Sequence, residues 1–424
     1  MRERFAALLA AIAMAIAVAP AAAQPPVEGS PIVAIAVHGL RHIDESIVLR
    51  QMASRVGTAF DRAVADGDVV RLDRLGVFSE IGITPVPVDG GVRLEVILVE
   101  TLRVLPAISI AVSDANGASA GPTVKLLSVR GAPHEMSLTA RFGGERLFQF
   151  SETSPLIVDE RLWHTASLAL RRQANKLDDF NERSLDLDAR VGRRHSERWK
   201  SGAIFQVYAA ESDTPGVTLS SDDSDVFTGV GGVTEYDSRN SWREPSSGWW
   251  NSADATWRFG SGDYGTLNLD VRRFQPVAPR QTVVATGLMT WRSGTSGQDV
   301  PTYLDFALGG ANSVRGWDFN ARRGRNQAIA SLEYRYMIFP TRTIRVFGVN
   351  FYGGLALAAF GDAGKVWGSV EHPDQDAIGG GGIGLRLYVP YVSLLRIDFA
   401  VGDGGFHRTL GINEKAVAQR NLIR

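Results

Sequence analysis

The chain has 424 residues, a formal net charge of -1 and no cysteine. So balanced a charge argues against nucleic-acid binding driven by electrostatics, and the missing cysteines exclude a disulfide framework and thiolate chemistry. The 45 glycines, 19 Phe, 9 Trp and 9 Tyr point away from a helical enzyme and toward strands.

Arg2 and Arg4 precede an unbroken apolar run over 6–18, and Pro20-Ala21-Ala22-Ala23 offers a small-residue cleavage site before Gln24. This order reads as a secretory signal peptide over 1–23, its apolar run too short to span a bilayer. No cysteine follows the site to carry a lipid anchor. Beyond it, no apolar segment approaches the roughly 18 residues of a transmembrane helix.

A small α+β unit is expected over 31–103. Residues 32–37 read as a strand ending at Gly39. Asp44 is placed to cap a helix over 45–54, with Ile47, Val48 and Met52 on one face. A second helix over 62–75 stops before Gly76. Strands over 81–86 and 92–99, joined by Asp89-Gly90-Gly91, form a hairpin and complete the order β-α-α-β-β.

From about residue 104 the period changes to two. Leu185, Leu187, Ala189 and Val191 alternate with Asp186, Asp188 and Arg190, and Leu267, Leu269 and Val271 with Asn268, Asp270 and Arg272. Leu395, Ile397, Phe399 and Val401 alternate with Arg396, Asp398 and Ala400. Such alternation puts one set of side chains on each face of a sheet. A soluble sandwich shares that pattern. Charged polar faces in strand after strand, including Asp254 and Arg258, favour a hydrated lumen. Apolar faces ending in Trp249, Trp250, Trp257, Phe259, Phe339, Phe351 and Trp367 read as the aromatic girdles of a membrane barrel. Strands are expected near 105–112, 122–129, 136–143, 146–153, 160–173, 184–194, 198–211, 225–237, 248–259, 263–275 and 279–293. Five more follow, near 327–339, 343–362, 379–390, 392–402 and 405–412. The sixteen segments, an even number as bacterial barrels require, make the chain mostly β: a sixteen-stranded antiparallel transmembrane barrel over 104–412. Residues 413–424 are left as a C-terminal extension.

Between the eleventh and twelfth segments lies a long Gly- and Arg-rich connection containing GGANSVRGWDF, residues 309–319. Farther on, Phe360-Gly361-Asp362-Ala363-Gly364 spells F-x-D-x-G. Leu332 and Tyr334 alternate outward, which turns Glu333 inward, and Asp362 opposes the outward Leu355, Leu357 and Ala359.

These motifs resemble those of the BamA/TamA/FhaC superfamily of outer-membrane assembly and secretion barrels, and the unit over 31–103 resembles a single POTRA domain. The chain looks like a single-POTRA member of the bacterial surface antigen type. The resemblance implies that the loop, with Val314, Arg315, Gly316, Trp317 and Phe319, folds back into the lumen. It implies that Arg315 pairs there with Asp362 and Glu333, with Phe360 and Gly364 completing the wall motif, and that Trp317 and Phe319 pack the tip against the wall. Five strands after the signature loop also match the family pattern, and a periplasmic N-terminal domain puts that loop on the cell-surface side. One POTRA unit implies a specialised or accessory member.

Other motifs read more plainly. Gly117-Ala118-Ser119-Ala120-Gly121 matches G-x-S-x-G but precedes Pro122 and an alternating strand, so it reads as a small-residue turn between strands and not as a nucleophile elbow. The run Ser221-Asp222-Asp223-Ser224-Asp225 reads as a solvated loop without EF-hand spacing. The seven histidines form no paired metal motif. No catalytic residue, metal or cofactor is therefore expected. The expected partners are outer-membrane lipids, β-rich client proteins in the periplasm and accessory periplasmic proteins. Three functions fit: insertion or translocation of clients, a passive porin-like channel, or a surface antigen or adhesin without transport.

Overall fold

The computed structural model describes residues 27–129, 131–154, 161–241, 244–346, 349–371, 373–389, 393–403 and 405–412, with 343–346, 349–352 and 393 by backbone only. The expected signal peptide over 1–23, the C-terminal extension over 413–424 and the Phe351 side chain lie outside the described set. The chain divides into two compact units, one reaching Arg74 and resuming over Phe78–Glu100, the other taking Leu75–Val77 and running on from Thr101.

The first unit contains β1 (Ile32–His38), α1 (Glu45–Gln51), α2 (Arg62–Asp73), β2 (Phe78–Val88) and β3 (Gly91–Glu100). Its sheet has the order β1-β3-β2, with β1 parallel and β2 antiparallel to the central β3. In β3, Val92, Leu94, Val96 and Leu98 alternate inward and are fully buried. Val92 and Leu94 pack with Ile32, Phe60 and Ala65. Capping differs from expectation. Asp44 makes no side-chain cap, whereas Asp61 accepts from the backbone N–H groups of Ala63 and Val64 and starts α2. The first helix stops at Gln51 and not at 54, because the buried Asp68 carboxylate draws off the N–H groups of Ala53 and Ser54.

The second unit is one antiparallel sheet of sixteen strands. Eleven lead into the long connection: β4 (Val104–Ser113), β5 (Gly117–Val129), β6 (Ala132–Gly143), β7 (Glu145–Ser154), β8 (Leu162–Asn175), β9 (Phe180–Arg194), β10 (Trp199–Ser212), β11 (Ser224–Asp237), β12 (Gly248–Gly260), β13 (Tyr264–Ala278) and β14 (Gln281–Arg292). The connection carries a short ribbon of β15 (Phe306–Leu308) and β16 (Arg322–Gly324). Then follow β17 (Asn326–Val346), β18 (Val349–Trp367), β19 (Ile378–Val389), β20 (Ser393–Val401) and β21 (Phe406–Ile412). The end strands β4 and β21 lie beside each other, yet among the described residues no hydrogen-bonded ladder registers between them. The sheet is a barrel closed everywhere except at this seam.

Along the strands, apolar side chains mostly face outward and polar ones mostly inward. Ile108, Leu138, Phe148, Trp257, Leu332, Phe339 and Ile383 are exposed, while Asp188, Asp254, Asp270, Arg272, Arg396 and Asp398 are buried within. The interior charges satisfy one another: Asp188 pairs with Arg190 at 2.8 Å and Asp270 with Arg272 at 2.9 Å. Among the described residues no helix is long and apolar enough to cross a membrane. A closed sheet that keeps its backbone groups paired is the other way across.

Three local expectations change. Residues 117–121 belong to β5, with Ser119 opposite Ala111, and the turn is Asp114-Ala115-Asn116. Trp250 belongs to the inward face, where Arg272 stacks 4.6 Å above its ring. The break expected between 339 and 343 is instead a pair of bulges: β17 runs on to Val346, with register shifts between Met337 and Phe339 and between Phe339 and Arg342. Pro340 lies there, and a residue without an N–H is tolerated in a sheet at such irregular points.

Candidate functional site

The connection leaving β14 does not extend away from the barrel. Arg292 at the end of β14 donates to the Leu304 carbonyl at 2.6 Å and stacks on Phe306 at 4.3 Å. Tyr303 donates to Asp225 at 2.9 Å and meets Phe180 edge to face. Asp225 is therefore fully buried, holding its own loop through the N–H groups of Leu219 and Ser220, and is no solvated residue as the acidic run implied. Arg323 bonds Asp178, in the turn between β8 and β9, at 2.7 Å. Phe306, Leu308 and Val314 then join Leu288, Ile329, Val366 and Ile378 in one apolar cluster. The connection is packed onto the inner wall.

At its tip Arg315 is 1% exposed. Its Nε and Nη2 donate to the two oxygens of Asp362 at 2.7 and 2.9 Å, and its own backbone N–H adds a third bond at 3.1 Å. This is the bidentate fork that guanidinium and carboxylate geometry favours. Nη1 reaches Glu333 at 3.3 Å and Asp398 at 3.2 Å. The guanidinium carbon also sits 3.3 Å from the centre of the Phe360 ring.

The F-x-D-x-G strand acquires a physical reading. Phe360, Asp362 and Gly364 alternate on the inner face of β18, and each receives a different part of the loop. Phe360 takes the face of the guanidinium and Asp362 its charge. Gly364 makes room: a Cβ there would fall 2.8 Å from Val314 and 2.9 Å from Leu308. Gly316 has φ +93°, and a Cβ on it would meet the Val401 carbonyl oxygen at 2.6 Å. Trp317 donates its ring N–H to the Gly379 carbonyl at 2.9 Å, fixing the tip to β19. Phe319 is only half-buried, facing a cavity it shares with Asp114 and Asn312.

Around the motif stands a network that motif matching alone missed. Glu333 accepts from Arg335 at 2.7 Å and from Arg386. Asp398 accepts from Arg386 at 2.7 Å and Arg396 at 3.4 Å. Among these residues, four arginines including Arg315 face three carboxylates. Asp398 was legible as an inward charge, but its part in binding Arg315 was not. A signal existed: Arg386 stands opposite Arg396 in the β19–β20 register, a like-charge pair that requires acids between them. Beyond the wall, Asp114 accepts from the N–H groups of Ala311 at 3.0 Å and Asn312 at 3.3 Å, while Arg396 donates to the Asn312 side chain at 3.0 Å. Asp114 follows the first barrel strand and Arg396 lies on the penultimate one, so the loop tip spans the seam from inside.

A sixteen-stranded antiparallel barrel of apolar exterior and polar interior, with a connection folded onto its inner wall, is the fold of a bacterial outer-membrane barrel. Residues 129–412 match the Omp85 superfamily domain, and the chain belongs to the Omp85 superfamily. In fold it is similar to BamA from Haemophilus ducreyi lacking POTRA domains 1-3, at a TM-score of 0.58 and 13% identity, covering 90% of this chain and 82% of that one. It is also similar to CdiB from Acinetobacter baumannii (TM-score 0.52, 14% identity, 90% of this chain and 72% of that one). CdiB from Escherichia coli gives a TM-score of 0.52 at 11% identity, over 93% of this chain and 91% of that one. Among curated proteins no match is found.

Proposed function

We propose that this protein inserts or translocates β-rich client proteins at the outer membrane, as a specialised or accessory assembly or secretion factor. The carrying observation is the seam. Among the described residues strands β4 and β21 adjoin without a registered ladder, so each offers an edge of backbone N–H and C=O groups that can template an incoming strand. Membership in a superfamily of assembly and secretion barrels supports the same reading. In it, residues 1–23 direct export, the β-α-α-β-β unit over 31–103 is a POTRA-like domain in the periplasm, and the barrel over 104–412 sits among outer-membrane lipids. Clients and accessory proteins arrive from the periplasm.

The loop lock belongs to this proposal. Arg315, held by Asp362, Glu333 and Asp398, keeps the connection docked, with Val314, Gly316, Trp317 and Phe319 shaping its tip and Phe360 and Gly364 its seat. A passive channel fits less well, because the lumen contains a loop anchored on several sides. The test is depletion of the protein followed by quantitation of the outer-membrane and secreted proteomes. Loss of a defined set of β-rich proteins is expected. An unchanged proteome, together with a steady conductance of the purified barrel, would overturn the proposal in favour of a channel.

A further inference from the structure

On β6, β7 and β8 the even-numbered residues face outward: Leu138, Phe148 and Leu170 are all exposed, whereas Thr139, Leu147 and Ala169 are buried inside. His134, Glu152 and His164 share the outward parity, one on each of these three neighbouring strands. His164 stands opposite Val191, which is 54% exposed. A carboxylate on the apolar outer face of a membrane barrel is energetically costly unless it is compensated. Glu152 is compensated in an unusual way. Nε2 of His164 lies 2.8 Å and Nε2 of His134 lies 3.0 Å from the same oxygen, Oε1. The two rings meet edge to face at 5.8 Å.

Hydrogen bonding accounts for only one of these approaches. His164 bonds Glu152, while the buried Nε2 of His134 pairs with the same oxygen at 3.0 Å off the favoured hydrogen-bond direction. Both ring nitrogens thus converge on one carboxylate oxygen. Two imidazole nitrogens and a carboxylate oxygen, all within 4.8 Å of one another, form a two-histidine, one-carboxylate ligand set. At metal–ligand bonds of about 2.0–2.1 Å, tetrahedral ligand atoms stand about 3.3 Å apart. To admit an ion the two short contacts open by about 0.3–0.5 Å while the two imidazole nitrogens, within 4.8 Å of each other, settle at the same spacing.

The geometry points to a divalent-metal site of the Zn²⁺ type formed by His134, Glu152 and His164, clipping three adjacent strands on the outer face of the barrel. Its fourth position is open to water. Each residue is the third from the end of its strand, at the rim where β4 begins, about 7–10 Å in at 3.4 Å per residue. Neutral imidazoles and a carboxylate suit Zn²⁺, and Cu²⁺ binds such sets more tightly still. The ion replaces an uneven contact with three bonds and neutralises the carboxylate on the apolar face. Sequence spacing hid the site, since the hairpins alone bring the three residues together.

The test uses the full mature chain, purified in detergent, stripped with chelator and titrated with Zn²⁺ by calorimetry and equilibrium dialysis with metal analysis. Folding of every variant is checked by heat-modifiable electrophoretic mobility. One ion per chain is expected. His134→Ala and His164→Ala should each weaken binding at least about tenfold, the loss that even an outer-shell partner produces. Glu152→Gln provides a third variant should a histidine change impair folding. The exposed His38 and His42 pair with Glu95 and Glu100 elsewhere, so His38→Ala with His42→Ala should leave binding intact. Bound Co²⁺ should give the intense visible absorption of tetrahedral coordination. Absence of stoichiometric binding, or affinity unchanged in both His134→Ala and His164→Ala, overturns the assignment.

Discussion

Replacing Arg315 by alanine tests the loop lock at its centre. Removing one partner of a buried charge pair costs about 3–5 kcal/mol, because the remaining charge loses its compensation. Here the loss falls unevenly. Glu333 keeps Arg335 at 2.7 Å and Arg386, and Asp398 keeps Arg386 at 2.7 Å and Arg396 at 3.4 Å. Asp362 loses its fork and retains Ser331 at 2.6 Å. The penalty therefore acts on docking of the loop while the strand ladders persist. At about 1.4 kcal/mol per decade, it shifts the docked-to-undocked ratio by about two to three and a half decades. Limited proteolysis reads this directly, since Arg322, Arg323 and Arg325 become trypsin sites once the loop leaves the wall. A cross-link adds proximity. The chain has no native cysteine, and the Cβ position at Gly364 lies 2.8 Å from Val314 Cγ2, so Val314→Cys with Gly364→Cys forms a candidate pair. Oxidation should link them in the parent and far less with Arg315→Ala present. Client handling should fall while heat-modifiable mobility stays normal. If Arg315→Ala leaves proteolysis, cross-linking and client handling unchanged, the lock reasoning fails.

Two further outcomes are expected. Gly364→Val should displace Val314 and Leu308 and raise protease sensitivity of the loop without unfolding the barrel, and an unchanged digestion pattern would count against the seat assigned to Gly364. The second concerns the N-terminal unit, which should melt cooperatively when residues 27–101 are expressed alone. In it, burial pushes the Glu100 carboxyl up, but the N–H groups of Arg41, His42 and Ile43 and the His42 ring outweigh that and hold it below its ordinary value. A depressed carboxyl contributes stability above its unfolded value of about 4.3, and that stability is lost as pH falls through the lower folded value. Glu100→Gln should lower the melting temperature at neutral pH and flatten the acid limb of the stability profile; an unaltered limb refutes the assignment.

Much of this architecture could be read from alternation, because a strand with one wet and one apolar face records its period in its own residues. That is why sixteen segments emerged near their observed places. What pairing decides was less legible. The gap between 339 and 343 reads as the end of one strand and the start of the next, yet the β17–β18 ladder runs through it as bulges. Trp250 reads as girdle until its register partner, the inward Arg272, fixes its face. Asp114 carries no local signal at all: its role depends on a loop nearly two hundred residues away, delivered by closure of the barrel. Arg315 and Asp362 were found because each sits in a motif. Arg386 and Arg396 belong to no motif: alternation turns them inward, but their place beside the Arg315 site emerges only from the register that sets them face to face.

The length of the β17–β18 pair has a mechanical consequence. The strands have 21 and 19 residues, about twice the 9–11 that cross a bilayer. Pairing of β17 with β14 stops at Tyr336, and pairing of β18 with β19 stops at Gly354. Past these points, apart from the Met337 N–H that still donates to the Arg280 carbonyl at 2.8 Å, no third strand registers on the pair among the described residues, and strand alternation puts this extension at the rim where β4 begins. Ten further residues of β17 correspond to a reach of about 30 Å. A lone two-stranded ribbon is marginal by itself. Its bulges fall at Met337, Phe339 and Arg342, just where support from β14 ends. The stiff wall thus passes near Tyr336 into a two-stranded extension jointed at its root, in which no third strand registers among the described residues.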